Sequence, residues 1–192
     1  LGVNLSNYDI NYPSPQAILD FGNGRKAVQI ESGSSASCAL LDDGNVSCWG
    51  DNTYGVIGSG TVDNKYYTPQ QVDSFGSNKK AVKIAMGIYH VCAILNDGTV
   101  SCWGEHDGLG NGLSSGYRKS PVQTNSLGSG RSAIDISADE WYTCVVLDNR
   151  EIKCWGNNDN GQLGIGNNND AALMDINSVS GLLSFNSPPD YE

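Results

Sequence analysis

Six cysteines stand in three pairs with a single spacing: Cys38 with Cys48, Cys92 with Cys102 and Cys144 with Cys154, nine residues lying between the members of each. Thiols so placed can oxidise to a disulfide or hold a metal ion. Zinc-binding cysteine pairs usually stand about two to four residues apart, and the two histidines, His90 and His106, fall in one of the three segments. Oxidation is the favoured chemistry, with free buried thiol pairs as the remaining alternative. An even count at one spacing implies an oxidising compartment, so the chain is expected outside the cell or on its surface. Closing a loop of roughly 11 residues is worth about 3 kcal/mol per bridge where chain entropy dominates.

No constellation points to catalysis. Neither histidine sits in a motif that joins a nucleophile, a base and an orienting group, so no enzymatic activity and no cofactor are expected. The segments Asn157-Asn-Asp-Asn-Gly161 and Asn167-Asn-Asn-Asp170 offer oxygen ligands of the kind calcium takes. They lack the bidentate glutamate that closes an EF-hand loop; turns are the expected reading, and no metal site is expected. Two sequons, Asn4-Leu5-Ser6 and Asn45-Val46-Ser47, make Asn4 and Asn45 candidate glycan acceptors in an exported protein.

Composition narrows the class further. Of 192 residues 39% are hydrophobic, 17% are charged and 24 are glycine, which suits a globular all-β chain with many tight turns. Twenty-one acidic residues against 11 basic ones give a formal net charge of −10, a field that repels phosphate backbones and anionic lipid. Nucleic acid is not an expected partner. No run approaches the roughly 20 apolar residues that span a bilayer, so membrane insertion is not expected either.

The elements that position the cysteines are repeats. Ala27 to Gly50, Ala81 to Gly104 and Ala133 to Gly156 align without gaps, and their first cysteines lie 54 and 52 residues apart, a period of the propeller or solenoid kind. Within each, Val28 and Ile30, Val82 and Ile84, and Ile134 and Ile136 alternate with polar or small residues, which is strand periodicity. Asp43-Gly44 and Asp97-Gly98 then place each cysteine pair on a hairpin. The third repeat has Asn149-Arg150 there, with Asn149 expected to take the left-handed conformation. Between these cores Ile57-Gly58, Leu109-Gly110 and Leu163-Gly164 open polar stretches, which pass through Pro69 and Pro121 in the first two. The expected units are repeat 1 (1–50), repeat 2 (51–104), repeat 3 (105–156), and a partial repeat with a C-terminal tail (157–192).

The string from Gly87 through Cys92-Ala-Ile-Leu-Asn-Asp-Gly-Thr-Val-Ser-Cys-Trp-Gly104, with Gly108-Leu-Gly110 and Pro121 after it, resembles the regulator of chromosome condensation repeat. The resemblance runs over the whole chain and fits a secreted, disulfide-containing Cys-Trp-Gly variant. It implies four-stranded blades of a β-propeller, here three repeats plus a partial one in an incomplete ring. It fixes a binding platform without fixing a function. The family's nuclear exchange activity is not carried over, because paired cysteines and an acidic surface point outside the cell.

Expected partners follow from these readings. Stacked repeats bury their cores against neighbours, so the incomplete ring is expected to self-associate into a filament or a completed ring, as an extracellular structural or adhesive protein. The alternative is a secreted protein-binding or inhibitor module. The loop before each first cysteine changes from Ser34-Ser35-Ala36 to Ile88-Tyr89-His90 to Glu140-Trp141-Tyr142, and equivalent loops emerge on one propeller face. Tyr89, His90, Trp141 and Tyr142 are therefore the candidate binding residues, for another protein or a glycan.

Overall fold

The computed structural model describes residues 14–168, apart from 19, 23, 63, 113 and 114, together with the short strand at 177–178. The candidate acceptor Asn4, the run's last residues Asn169 and Asp170, and most of the C-terminal stretch lie outside the described residues.

Three four-stranded antiparallel sheets follow one another along the chain. The first holds β1 (Ala27–Ser32), β2 (Ala36–Leu41), β3 (Val46–Asp51) and β4 (Lys65–Gln71). The second holds β5 (Ala81–Met86), β6 (His90–Leu95), β7 (Val100–Glu105) and β8 (Tyr117–Gln123). The third holds β9 (Ala133–Asp139), β10 (Tyr142–Leu147), β11 (Ile152–Gly156) and β12 (Asn177–Ser178). Strand order in every sheet is sequence order, which makes each sheet a propeller blade. The sheets run over 27–71, 81–123 and 133–178, because each draws its outer strand from the residues beyond its Trp-Gly. Those outer strands β4 and β8 contain Pro69 and Pro121; a proline gives no ladder hydrogen, so an edge strand accommodates it. Among the described residues no helix is long and apolar enough to cross a membrane.

The cysteine hairpins set the register of the middle strands. Cys38 faces Cys48, Cys92 faces Cys102 and Cys144 faces Cys154 across the β2–β3, β6–β7 and β10–β11 ladders. Each pair is disulfide-bonded and no cysteine is free, which removes both the metal and the free-thiol alternatives. At the hairpin turns the Asp43, Asp97 and Asn149 side chains each accept the backbone N–H two residues on, an Asx turn. The expected left-handed Asn149 is corrected by the structure: the positive φ of 71° falls on Arg150. Arg150 occupies the place of Gly44 and Gly98, and its N–H closes the turn on the Leu147 carbonyl at 2.9 Å.

Blades stack through two apolar seams. In the first, Leu40, Val46, Ile57 and the Cys38–Cys48 bridge pack against Ile84, Val91 and Trp103. In the second, Ile94, Val100, Leu109 and the Cys92–Cys102 bridge pack against Ile136, Val145 and Trp155. Each tryptophan also donates its indole N–H backwards across the seam, Trp103 to the Val56 carbonyl and Trp155 to the Gly108 carbonyl, both at 2.8 Å. The loop glycines after those carbonyls make room: a Cβ on Gly58 or Gly110 would lie 2.7 Å from the indole nitrogen of the next blade. This is what the Ile-Gly and Leu-Gly dipeptides of the sequence do.

The first strands β1, β5 and β9 lie beside one another along the inner side of the arc. There the Gln29 amide mimics a strand, donating to the Ile84 carbonyl at 2.6 Å and accepting the Ile84 N–H at 3.0 Å. Lys83, at the same place in the next blade, instead pairs with Asp135.

Candidate interaction face

The loops that enter β2, β6 and β10 end at one rim of the blades, and one backbone contact fixes them. The carbonyls of Ser35, Tyr89 and Trp141 accept the N–H of Asp51, Glu105 and Asn157, the residues after each Trp-Gly, at 2.9, 2.9 and 3.1 Å. Ser35, Tyr89 and Trp141 are thus equivalent positions in successive blades, as are Ala36, His90 and Tyr142. A rigid frame of this kind holds variable side chains in fixed relation.

Tyr89 stacks on Tyr54, from the loop between β3 and β4 of the first blade, with ring centroids 4.6 Å apart and planes tilted by 50°. Both are half-buried. Trp141 is 37% exposed, while Trp49, Trp103 and Trp155 are buried. Tyr142 is half-buried against the Cys144–Cys154 bridge and Leu163. Tyr54 carries no motif of its own; only its place in the loop after Trp-Gly could have marked it.

His90 belongs to the seam and not to the rim. It is 1% exposed, so the expectation that it contacts a partner is corrected: no part of the ring is available to one. Its Nε2 lies 2.8 Å from the Thr143 hydroxyl of the third blade, and the other ring nitrogen donates to the Glu140 carbonyl. In the neutral ring, with the proton on Nδ1, Nε2 accepts the Thr143 hydroxyl hydrogen. A second proton would turn that hydroxyl toward the Gly108 carbonyl, 3.2 Å away. Burial pushes the imidazole down to about 4, since desolvation opposes the cation more than one backbone carbonyl supports it.

The same carbonyl shapes the rim. Glu140 also receives the Ile88 N–H at 3.0 Å and takes a φ of 29°, a conformation a non-glycine residue keeps only where its surroundings over-determine it. Two donors from the second blade therefore hold the turn that carries Trp141. Thr143, which no sequence motif flags, completes this latch.

The described residues of the asparagine segments make local turn and loop contacts. Asn158 is fully buried, accepts the Leu163 N–H at 3.0 Å and donates to the Asn167 carbonyl at 2.8 Å; Asn52 makes the corresponding bonds to Ile57 and Thr61. His106 stands at this position in the second blade and pairs with Asp107 at 2.9 Å. No group of three or more His, Cys, Asp or Glu side chains among the described residues is arranged to hold a metal ion. The candidate acceptor Asn45 is half-buried in its hairpin turn, donating to Asp43 at 2.8 Å and accepting Lys80 Nζ at 2.9 Å.

A family model described as the regulator of chromosome condensation (RCC1) repeat matches residues 43–94, and a second with the same description matches 27–56, 81–108 and 133–162. The chain is 33% identical over 150 residues to the human E3 ubiquitin-protein ligase HERC2, covering 76% of this chain and 3% of that protein. Among solved structures, yeast RCC1 (Prp20) bound to Kap60 superposes with a TM-score of 0.70 at 20% identity, over 81% of this chain and 37% of that one. Human WBSCR16 gives 0.69 at 22%, over 79% and 39%. The chain therefore spans a small part of HERC2 and under two fifths of either structure.

Proposed function

The chain belongs to the regulator of chromosome condensation (RCC1) repeat family, and on that premise we propose that it is a non-enzymatic protein-binding module of an oxidising, extracellular setting. The observation that carries the reading is the rim. Tyr89 and Trp141 occupy equivalent loop positions in adjacent blades, fixed by the same backbone bond, and Tyr54 widens the aromatic surface. Aromatic anchors on a rigid frame suit a binding hot spot, because little side-chain freedom is lost on contact. A propeller of this fold is described bound to Kap60, which supports a role in holding another protein. HERC2 matches over a stretch that is 3% of its length, so ligase activity forms no part of the proposal. Three disulfides are compatible with an extracellular place, and Asn45 is the described sequon at which glycosylation is proposed.

The test is capture. The intact, non-reduced chain and its Tyr89→Ala/Trp141→Ala double variant are immobilised and exposed to extracellular fluid of the source. Proteins held by the first and released by the second support the reading; equal capture by both contradicts it.

One observation favours self-association as a second reading. Ile84 and Ile136 are 1% and 7% exposed, covered by the preceding blade, whereas Ile30 at the same place in β1 is 56% exposed. A second copy offering the Tyr142, Leu163 and Cys144–Cys154 side of its third blade would cover it, giving a filament or a completed ring. In light scattering, oligomers that Ile30→Lys converts to monomers support this, and a monomer at high concentration opposes it.

A further inference from the structure

The two ends of the blades treat their carboxylates differently. At the hairpin-turn end a cation stands two residues before the first strand of each sheet, and it pairs with a carboxylate of that sheet's turn. Arg25 meets Asp43 at 3.1 Å, Lys79 meets Asp97 at 3.0 Å and Arg131 meets Asp148 at 3.4 Å. The rim end has no such device. Asp51 reaches Lys65 at 3.8 Å and Asp107 reaches His106, but Glu105, Asp139, Glu140 and Asp159 are in no ion pair among the described residues.

These unmatched carboxylates flank the aromatic side chains. Glu105 bonds through its N–H to the Tyr89 carbonyl, and Glu140 is joined to the Tyr89 loop through Ile88 and precedes Trp141. Burial and the neighbouring Asp107 raise Glu105 while His106 opposes them, and a partner's cation beside this carboxyl would favour its ionised form. Aromatic faces attract the same cations through the ring quadrupole. Aromatic anchors and charge complementarity thus select one class of ligand.

We infer that the rim of Tyr54, Tyr89 and Trp141, with Glu105 and Glu140 beside it, docks an arginine- or lysine-rich segment of a protein partner. The inference rests on the protein-binding reading above and names the chemistry of its partner. Guanidinium or ammonium groups lie over the tyrosine and tryptophan faces, and they supply the counter-charge that Glu105 and Glu140 do not find in an ion pair among the described residues.

Trp141 gives the assay, since it is the exposed one of four tryptophans. The full-length, non-reduced chain is titrated with a synthetic arginine–glycine dodecapeptide, its glutamate–glycine counterpart and a neutral oligosaccharide, following tryptophan emission. The arginine peptide is expected to change the emission saturably, and Glu105→Gln/Glu140→Gln to weaken it by about tenfold. Asp42→Asn/Asp148→Asn, which removes the same charge at the opposite end, is expected to leave the affinity within about twofold. Equal weakening by both pairs of changes overturns the inference, because the net charge alone would then be at work. No binding of the arginine peptide, or tighter binding of the oligosaccharide, also overturns it. Those outcomes leave partner capture through Tyr89 and Trp141 standing, whereas capture indifferent to those two residues removes the reading beneath.

Discussion

His90 of the second blade and Thr143 of the third meet across their seam, imidazole Nε2 to hydroxyl at 2.8 Å, with neither residue reaching solvent. The corresponding contact of the first seam is between Ala36 and Val91, both buried and apolar. At this position the first seam has an apolar contact and the second a titratable latch, and that difference makes them respond differently to acid.

The folded imidazole is held at about 4 against an ordinary 6.5. The unfolded chain therefore binds the extra proton between these values, and stability that is complete above pH 6.5 is lost as pH falls toward 4. The full loss is about 3 kcal/mol. Denaturant unfolding of the wild-type chain and of His90→Gln is expected to show this loss in the wild type only. Asp51, Asp97 and Asp135 are held below the usual carboxylate range, and their lower-pH contribution is shared by both proteins and cancels in the comparison.

Thr143→Val leaves Nε2 of His90 buried without a partner. Stability should fall by about 1–3 kcal/mol, and Trp141 emission should change because the Glu140 turn loses part of its support. Thr143→Ser, which keeps the hydroxyl, should restore both.

Gly110→Ala places a methyl group 2.7 Å from the Trp155 indole nitrogen at a φ of 62°. A loss of about 1–3 kcal/mol from overpacking is expected, with further strain from the backbone. Calorimetry checks it, with Gly130→Ala as the comparison, since nothing lies within 4 Å of a Cβ there although its φ is also positive.

Removing the Cys92–Cys102 bridge by Cys92→Ala/Cys102→Ala should cost about 3 kcal/mol. The Cys144–Cys154 bridge should be reduced first, because Cys144 is partly exposed while Cys38, Cys48, Cys92 and Cys102 are fully buried. Mass mapping of alkylated cysteines after graded reduction gives the order.

The residues that repeat were legible in the sequence: the cysteine hairpins, the alternation of Val82 and Ile84, and the blade period follow from spacing alone. The outer strands β4 and β8 were not, since their half-exposed faces lack clean alternation and each contains a proline. The rim was half legible. Variation among Ser35, Tyr89 and Trp141 within a fixed frame marked the loops, but nothing local distinguished Tyr89, which reaches the surface, from His90, which lies across the seam. That distinction depends on Thr143 and Glu140, 53 and 50 residues further along the chain, and on which side of a strand faces the next blade.

The most direct measurement of the central claim is a hydrogen-exchange footprint of the chain bound to a captured partner. Slowed exchange at 88–90, 105–109 and 139–142, with 42–45, 96–99 and 148–151 unchanged, is the predicted result. Protection confined to the hairpin-turn end would contradict the assignment of the rim as the binding face.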